Sequence, residues 1–212
     1  MAVTPSKTIR LIALFLAWAW AVVSLGIEIN AFVKSHKDKR DIEDLVPSPT
    51  TVSINTNDVF RSGAVVTAGC ATVIALCTLF IILLIFDRPS SLSASGRPSM
   101  ATRTLPLQYL SLGFFSLWIF SAQVPVTVFV AQRSPKIVAS LAGITIPASV
   151  VKTIESSLGV RTRYKDYHYL ILVAVLPWFT FLFTLIAAVV SYLASTRRAD
   201  TKQVEVEQKA AA

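Results

Sequence analysis

One acidic side chain stands inside an otherwise apolar run of this 212-residue chain: Glu28, between Leu11 and Val33. A carboxylate in hydrocarbon costs several kcal/mol unless it is paired, hydrated or protonated, so it belongs in a bundle interior, in a cavity or at the water boundary. Three roles are open to Glu28: an interfacial carboxylate beside Asn30, the partner of a polar group such as Arg61, Arg133, Gln123 or His168, or a step on an ion or proton path. Conduction needs several polar groups at matching depth, and only Gln108, Gln123 and scattered Ser and Thr residues are at hand. Other chemistry is sparse. With His36 and His168 alone, the chain lacks the axial histidines that a two-haem bundle requires and any His-x-x-x-His metal pair. It has no phosphate-binding glycine loop, no Gly-x-Ser-x-Gly elbow and no paired intramembrane aspartates. These absences predict a protein that is not an enzyme and carries no cofactor or metal.

Cys70 and Cys77 fall seven residues apart in one apolar stretch, about 10 Å along a helix and too far apart to bridge. The polar loops contain no cysteine, which excludes the disulfide-stapled exoplasmic loops of tetraspanins and claudins. Both thiols read as apolar packing groups.

The elements that carry these residues are set by the bilayer. Ser62 to Phe86, Thr104 to Gln132 and Tyr169 to Thr196 contain no charged side chain, and Leu11 to Val33 contains only Glu28. About 20 apolar residues, at about 1.5 Å each, cross a hydrocarbon core of about 30 Å. The reading is therefore all-α: an integral membrane four-helix transmembrane bundle over residues 11–194, with spans at about 11–33, 62–86, 105–131 and 169–194 and cytosolic tails 1–10 and 195–212. Composition agrees, at 54% hydrophobic and 15% charged, against about 25% charged in soluble domains. The net charge of +8 is scattered, with no basic run longer than Arg197-Arg198, so the lipid bilayer is the expected partner and nucleic acid is not. The first apolar run continues past Ala17-Trp18-Ala19 to Val33, longer than a signal-peptide core, and reads as a retained anchor. Lys and Arg divide almost evenly, nine on the side of the tails and the connection Asp87 to Arg103, and eleven in the two longer loops. The nine are packed more densely, and the connection carries basic-flanked serines suited to kinases, which places both termini in the cytosol.

Lipid offers no hydrophobic drive between helices, so contacts should follow small residues that let backbones approach. Ala13, Ala17, Ala21, Ser24 and Glu28 share a face of the first span, Ala64, Ala68, Ala71 and Ala75 of the second, and Thr180, Thr184, Ala188 and Ser191 of the fourth. All three faces are expected inside, leaving Phe80, Ile81, Leu83 and Leu84 to lipid. Pro125 and Pro177 each free a carbonyl one turn earlier and are expected to bend their spans.

The loop Lys34 to Arg61 is polar and mixed in charge, with Pro47 and Pro49 ending any helix and the alternation Thr51, Val52, Ser53, Ile54 permitting a short strand. In the loop Arg133 to His168, Ser134-Pro135 predicts the start of a short interfacial helix over Lys136 to Ala142 that stops at Gly143. A second is expected from Pro147 to Leu158, with Val150, Val151, Ile154 and Leu158 on one face; that face either caps the helices or meets a lipid or protein partner. Tyr164, Tyr167 and Tyr169 suit an aromatic belt at this surface, Tyr109 and Tyr192 one at the other.

Four spans, short tails, a basic residue at the head of the first span (Arg10) and an M-shaped layout resemble MARVEL-type membrane proteins. The resemblance covers the four spans and is one of architecture; the two loops are longer than in a minimal member. It implies a role in membrane apposition, cargo trafficking or lipid-ordered microdomains. The expectation is a non-enzymatic protein that organises the membrane, other membrane proteins or copies of itself, with a small transporter or channel subunit as the alternative. The candidate sites are an intramembrane polar group of Glu28, Gln123, Arg61 and His168, and the surface of Val150, Val151, Ile154 and Leu158. Spans longer than the minimum suit the plasma membrane or a late endomembrane compartment, and the C-terminus carries no Lys-Asp-Glu-Leu signal. Ile154→Asp puts an unpaired carboxylate on the apolar face and is expected to release the loop to added protease in intact membranes, whereas Lys152→Ala leaves digestion unchanged.

Overall fold

Hydrocarbon offers backbone groups no water, so a spanning segment closes its own hydrogen bonds as a helix. Among the described residues four helices are long and apolar enough to do so. The computed structural model describes residues 5–45, 50–55, 57–86, 104–132, 136–141, 144–145 and 168–210. Its long elements are α1 (Pro5–Leu45), α2 (Asn57–Phe86), α3 (Leu105–Gln132) and α4 (His168–Ala210). Within them Lys7–Lys37, Phe60–Phe86, Leu105–Gln132 and His168–Arg197 are long and apolar enough to cross a membrane. The helix of α3 continues through Pro125 and that of α4 through Pro177.

Two helices outrun the predicted spans. Helix α1 continues through the mixed-charge segment to Leu45. Helix α4 continues to Ala210.

Buried positions recur every seven residues. On α1 they are Arg10, Ala17, Ser24 and Ala31, interleaved with Leu14, Ala21 and Glu28; on α2, Val66, Val73 and Phe80 with Cys70, Cys77 and Leu84. On α3, Leu105, Leu112, Ile119 and Val126 interleave with Ser116, Gln123 and Val130; on α4, Val173, Thr180 and Ala187 with Pro177, Thr184 and Ser191. A period of about 3.5 residues is that of left-handed helix pairing, the commonest kind in membranes. Lipid-sized side chains face out, including Phe15, Ile85, Leu107 and Leu117.

This periodicity bears out the small-residue faces of α1 and α4 and corrects that of α2. Ala64, Ala68, Ala71 and Ala75 are exposed, while Phe80 and Leu84, expected against lipid, are buried. Volume is the reason. With alanine, serine and threonine inside on α1 and α4, native packing density has to come from larger groups on another helix.

The chain forms two compact units. The first comprises Met1–Val22, Gly69–Phe120 and Phe179–Ala212. In it Trp20 of α1 stacks on Phe179 and Phe183 of α4 at 4.9 and 5.9 Å, and the Thr180 hydroxyl donates to the Trp20 carbonyl at 3.1 Å. Phe120 of α3 meets Phe181 of α4 at 5.3 Å, and Tyr109 meets Tyr192 edge-on at 5.4 Å. Helices α2 and α3 close at Gly69, where an added Cβ would lie 3.1 Å from Ile119 Cγ1 and 3.2 Å from Trp118 Cδ1.

The second unit comprises Val23–Ala68 and Ser121–Trp178. Phe32 of α1 packs on Phe60 of α2 at 4.1 Å with His36 against both rings, and the Lys34 ammonium lies 5.3 Å from the Tyr169 ring of α4. It also holds a three-stranded antiparallel sheet of β1 (Thr50–Asn55), β2 (Lys136–Leu141) and β3 (Ile144–Thr145), in that order. The register runs from Thr50 opposite Leu141 to Asn55 opposite Lys136, with Leu141 in turn opposite Ile144. Strand β1 follows α1 and β2 follows α3, so the pairing joins the connection after α1 to the one after α3.

The strand expected near Thr51 to Ile54 is therefore present, and the helix expected over Lys136 to Ala142 is corrected to a strand. So short a helix bears the full nucleation cost for few hydrogen bonds, whereas Ile137 and Val138 are β-branched and all six residues find partners on β1. Among the described residues the fold is thus four long helices plus a small sheet. The second interfacial helix, with Val150, Val151, Ile154 and Leu158, lies outside the described residues.

Gly69→Leu forces side-chain volume into the α2–α3 contact and is expected to cost about 1–3 kcal/mol. Gly113 has nothing within 4 Å of an added Cβ, and Gly113→Ala is expected to add about 0.5–1 kcal/mol. Thermal unfolding in detergent compares the two.

Candidate functional site: the buried polar groups

The buried polar residues Arg10, Ser24, Glu28, Ser116, Gln123, Thr180, Thr184 and Ser191 all occupy seven-residue seams, and Gln108 lies on the same face of α3. Polar groups in hydrocarbon require partners, and two constellations supply them to Arg10, Gln108 and Gln123.

The first joins α1 to α3 within the first unit. Arg10 Nη2 donates to Gln108 Oε1 at 2.7 Å, and both side chains are buried, Gln108 completely. Gln108 Nε2 donates to Thr104 Oγ1 at 3.3 Å, while its backbone N–H donates to the Thr104 carbonyl at 2.9 Å. This buried cation was not among the predicted sites. The signal was present: the face of Ala17, Ala21, Ser24 and Glu28, extended one and two turns toward the N-terminus, reaches Leu14 and Arg10.

The second joins α3 to α4 within the second unit, at a proline. Gln123 Nε2 donates to the carbonyls of Val173 and Ala174, at 3.0 and 2.8 Å. Trp178 Nε1 donates to Thr127 Oγ1 at 3.2 Å, and the Thr127 hydroxyl donates to the Gln123 carbonyl at 2.9 Å. The proline's freed carbonyl was legible in the sequence; the side chain that satisfies it, fifty residues earlier, was not.

Glu28, Gln123, Arg61 and His168 all belong to the second unit. Glu28 is 6% exposed and Gln123 fully buried, while Arg61 and His168 stand at exposed positions. Glu28 thus sits in the seam of α1 rather than on its lipid face, and the Gln123 amide nitrogen is engaged by α4. Cys70 and Cys77 are buried on α2 and form no disulfide. Among the described residues no group of three His, Cys, Asp or Glu side chains is placed to hold a metal ion.

The helices and their polar seams define a multi-pass membrane protein with four candidate spans. The chain matches no family model, no curated protein and no solved structure. The likeness to MARVEL-type proteins therefore stays at the level of four-pass architecture.

Gln108→Leu leaves the Arg10 guanidinium without its glutamine acceptor and is expected to cost about 1.5–3 kcal/mol. Adding Arg10→Leu removes the buried charge and recovers part of the loss. Reversible unfolding of the single and double variants in mild detergent measures the coupling.

Proposed function

We propose that this chain is a non-enzymatic membrane organiser, a four-pass protein whose lipid-facing surface gathers other membrane proteins or further copies of itself, in the manner implied by the MARVEL-like architecture. The observation that carries this reading is the outward face of α2, where Ala64, Ala68, Ala71 and Ala75 are exposed although the other helices present large side chains to lipid. Small residues on a lipid-facing surface let a second backbone approach closely, and van der Waals contact is the main attraction open to helices in a membrane. The plasma membrane or a late endomembrane compartment, with both termini cytosolic, is the proposed location.

A second reading, a transporter or channel subunit, is favoured by the burial of Glu28 in the unit that also holds Gln123. Capture from native membranes tests the first. Ala71→Leu/Ala75→Leu lies on an exposed face, is expected to leave the unfolding midpoint unchanged and should abolish co-purification of membrane partners and of a tagged second copy. Unaltered co-purification contradicts the organiser. Ion or substrate flux in liposomes that Glu28→Gln abolishes supports the second reading in its place.

A further inference from the structure

Proline has no N–H, so Pro177 leaves the Val173 carbonyl, four residues earlier, without its helical donor. The replacement comes from α3, where Gln123 Nε2 donates to Val173 O at 3.0 Å and to Ala174 O at 2.8 Å. Because both acceptors are carbonyls, the amide must present its nitrogen to α4, and its two N–H groups match the two bonds. We infer that Gln123 is the latch of a hinge in α4: its amide stands in for the missing backbone bond and holds His168–Leu176 against α3, and withdrawal of that one side chain frees the segment to pivot at Pro177.

Two features distinguish this arrangement from an ordinary helical turn. An intrahelical bond is tied to the backbone at both ends, whereas the Gln123 amide leaves by rotation about side-chain torsions with the helix of α3 unchanged. A second strap crosses at the same level, from Trp178 Nε1 to Thr127 Oγ1 at 3.2 Å and from the Thr127 hydroxyl to the Gln123 carbonyl at 2.9 Å. It starts at Trp178, on the far side of Pro177, and so fixes the pivot; the Thr127 hydroxyl also reaches the Ala174 carbonyl at 3.4 Å, a longer contact beside the two that Gln123 makes with the segment before the proline. That segment carries Tyr169, whose ring lies 5.3 Å from the Lys34 ammonium, so its movement is felt at α1.

The hinge is read by distance distributions between spin labels at Val128→Cys and Leu172→Cys, both lipid-exposed positions of the second unit. The full-length protein is used in nanodiscs, with Cys70 and Cys77 replaced by Ala. Wild type is expected to give one narrow distance, and Gln123→Leu a broad or split distribution with a lower unfolding midpoint. Adding Pro177→Ala restores a backbone N–H for Val173, so Gln123→Leu/Pro177→Ala is expected to regain the narrow distance and most of the midpoint. Should Gln123→Leu fail to fold, recovery of folded protein by Pro177→Ala supports the latch equally. The inference is overturned if Gln123→Leu leaves the distribution narrow, if Pro177→Ala fails to narrow it again, or if neither variant folds; each outcome makes Gln123 a packing residue with no special link to Pro177.

Discussion

Within a bilayer a polar group is satisfied by the protein or left at a cost of several kcal/mol, and that constraint orders this molecule at every level. It fixes the backbone as four long helices. It then gathers the buried polar side chains onto one face of each helix, where Arg10 finds Gln108 and Gln123 finds the carbonyls around Pro177. Outside the four long helices the backbone pairs as a sheet whose strands come from two different connections.

The same principle shows which features were legible in the sequence. Spans are a property of composition over long windows, and the four stretches poor in charge mark the four helices directly. The helix-facing sides of α1 and α4 were readable because their small residues coincide with polar ones, Ser24 and Glu28 on α1 and Thr180, Thr184 and Ser191 on α4, and polarity and packing point the same way. On α2 the two signals part. Its alanines suggest one face and its seven-residue series Val66, Val73, Phe80 another, and the latter is the one that is buried.

Long-range partners were the least legible. Ser134-Pro135 before Lys136 has the local signature of a helix start, but β1, some eighty residues earlier, supplies a complete ladder of hydrogen bonds and prevails. Glu28 could be picked out as an isolated charge and Pro177 as a missing donor; that Gln123 serves the proline follows only from how α3 and α4 pack in the second unit. Arg10 shows the converse, a residue that reads as a boundary charge and is buried.

The connections after α1 and α3 meet where β1 pairs with β2. Ser53 and Val138 stand directly opposite in that ladder. Replacing both with cysteine, in a chain with Cys70 and Cys77 changed to Ala, tests the arrangement in intact membranes. The account predicts an intramolecular disulfide on mild oxidation and, under reducing conditions, labelling of both cysteines by an impermeant maleimide from the same face. Labelling of the two positions from opposite faces, with no disulfide formed, would contradict it.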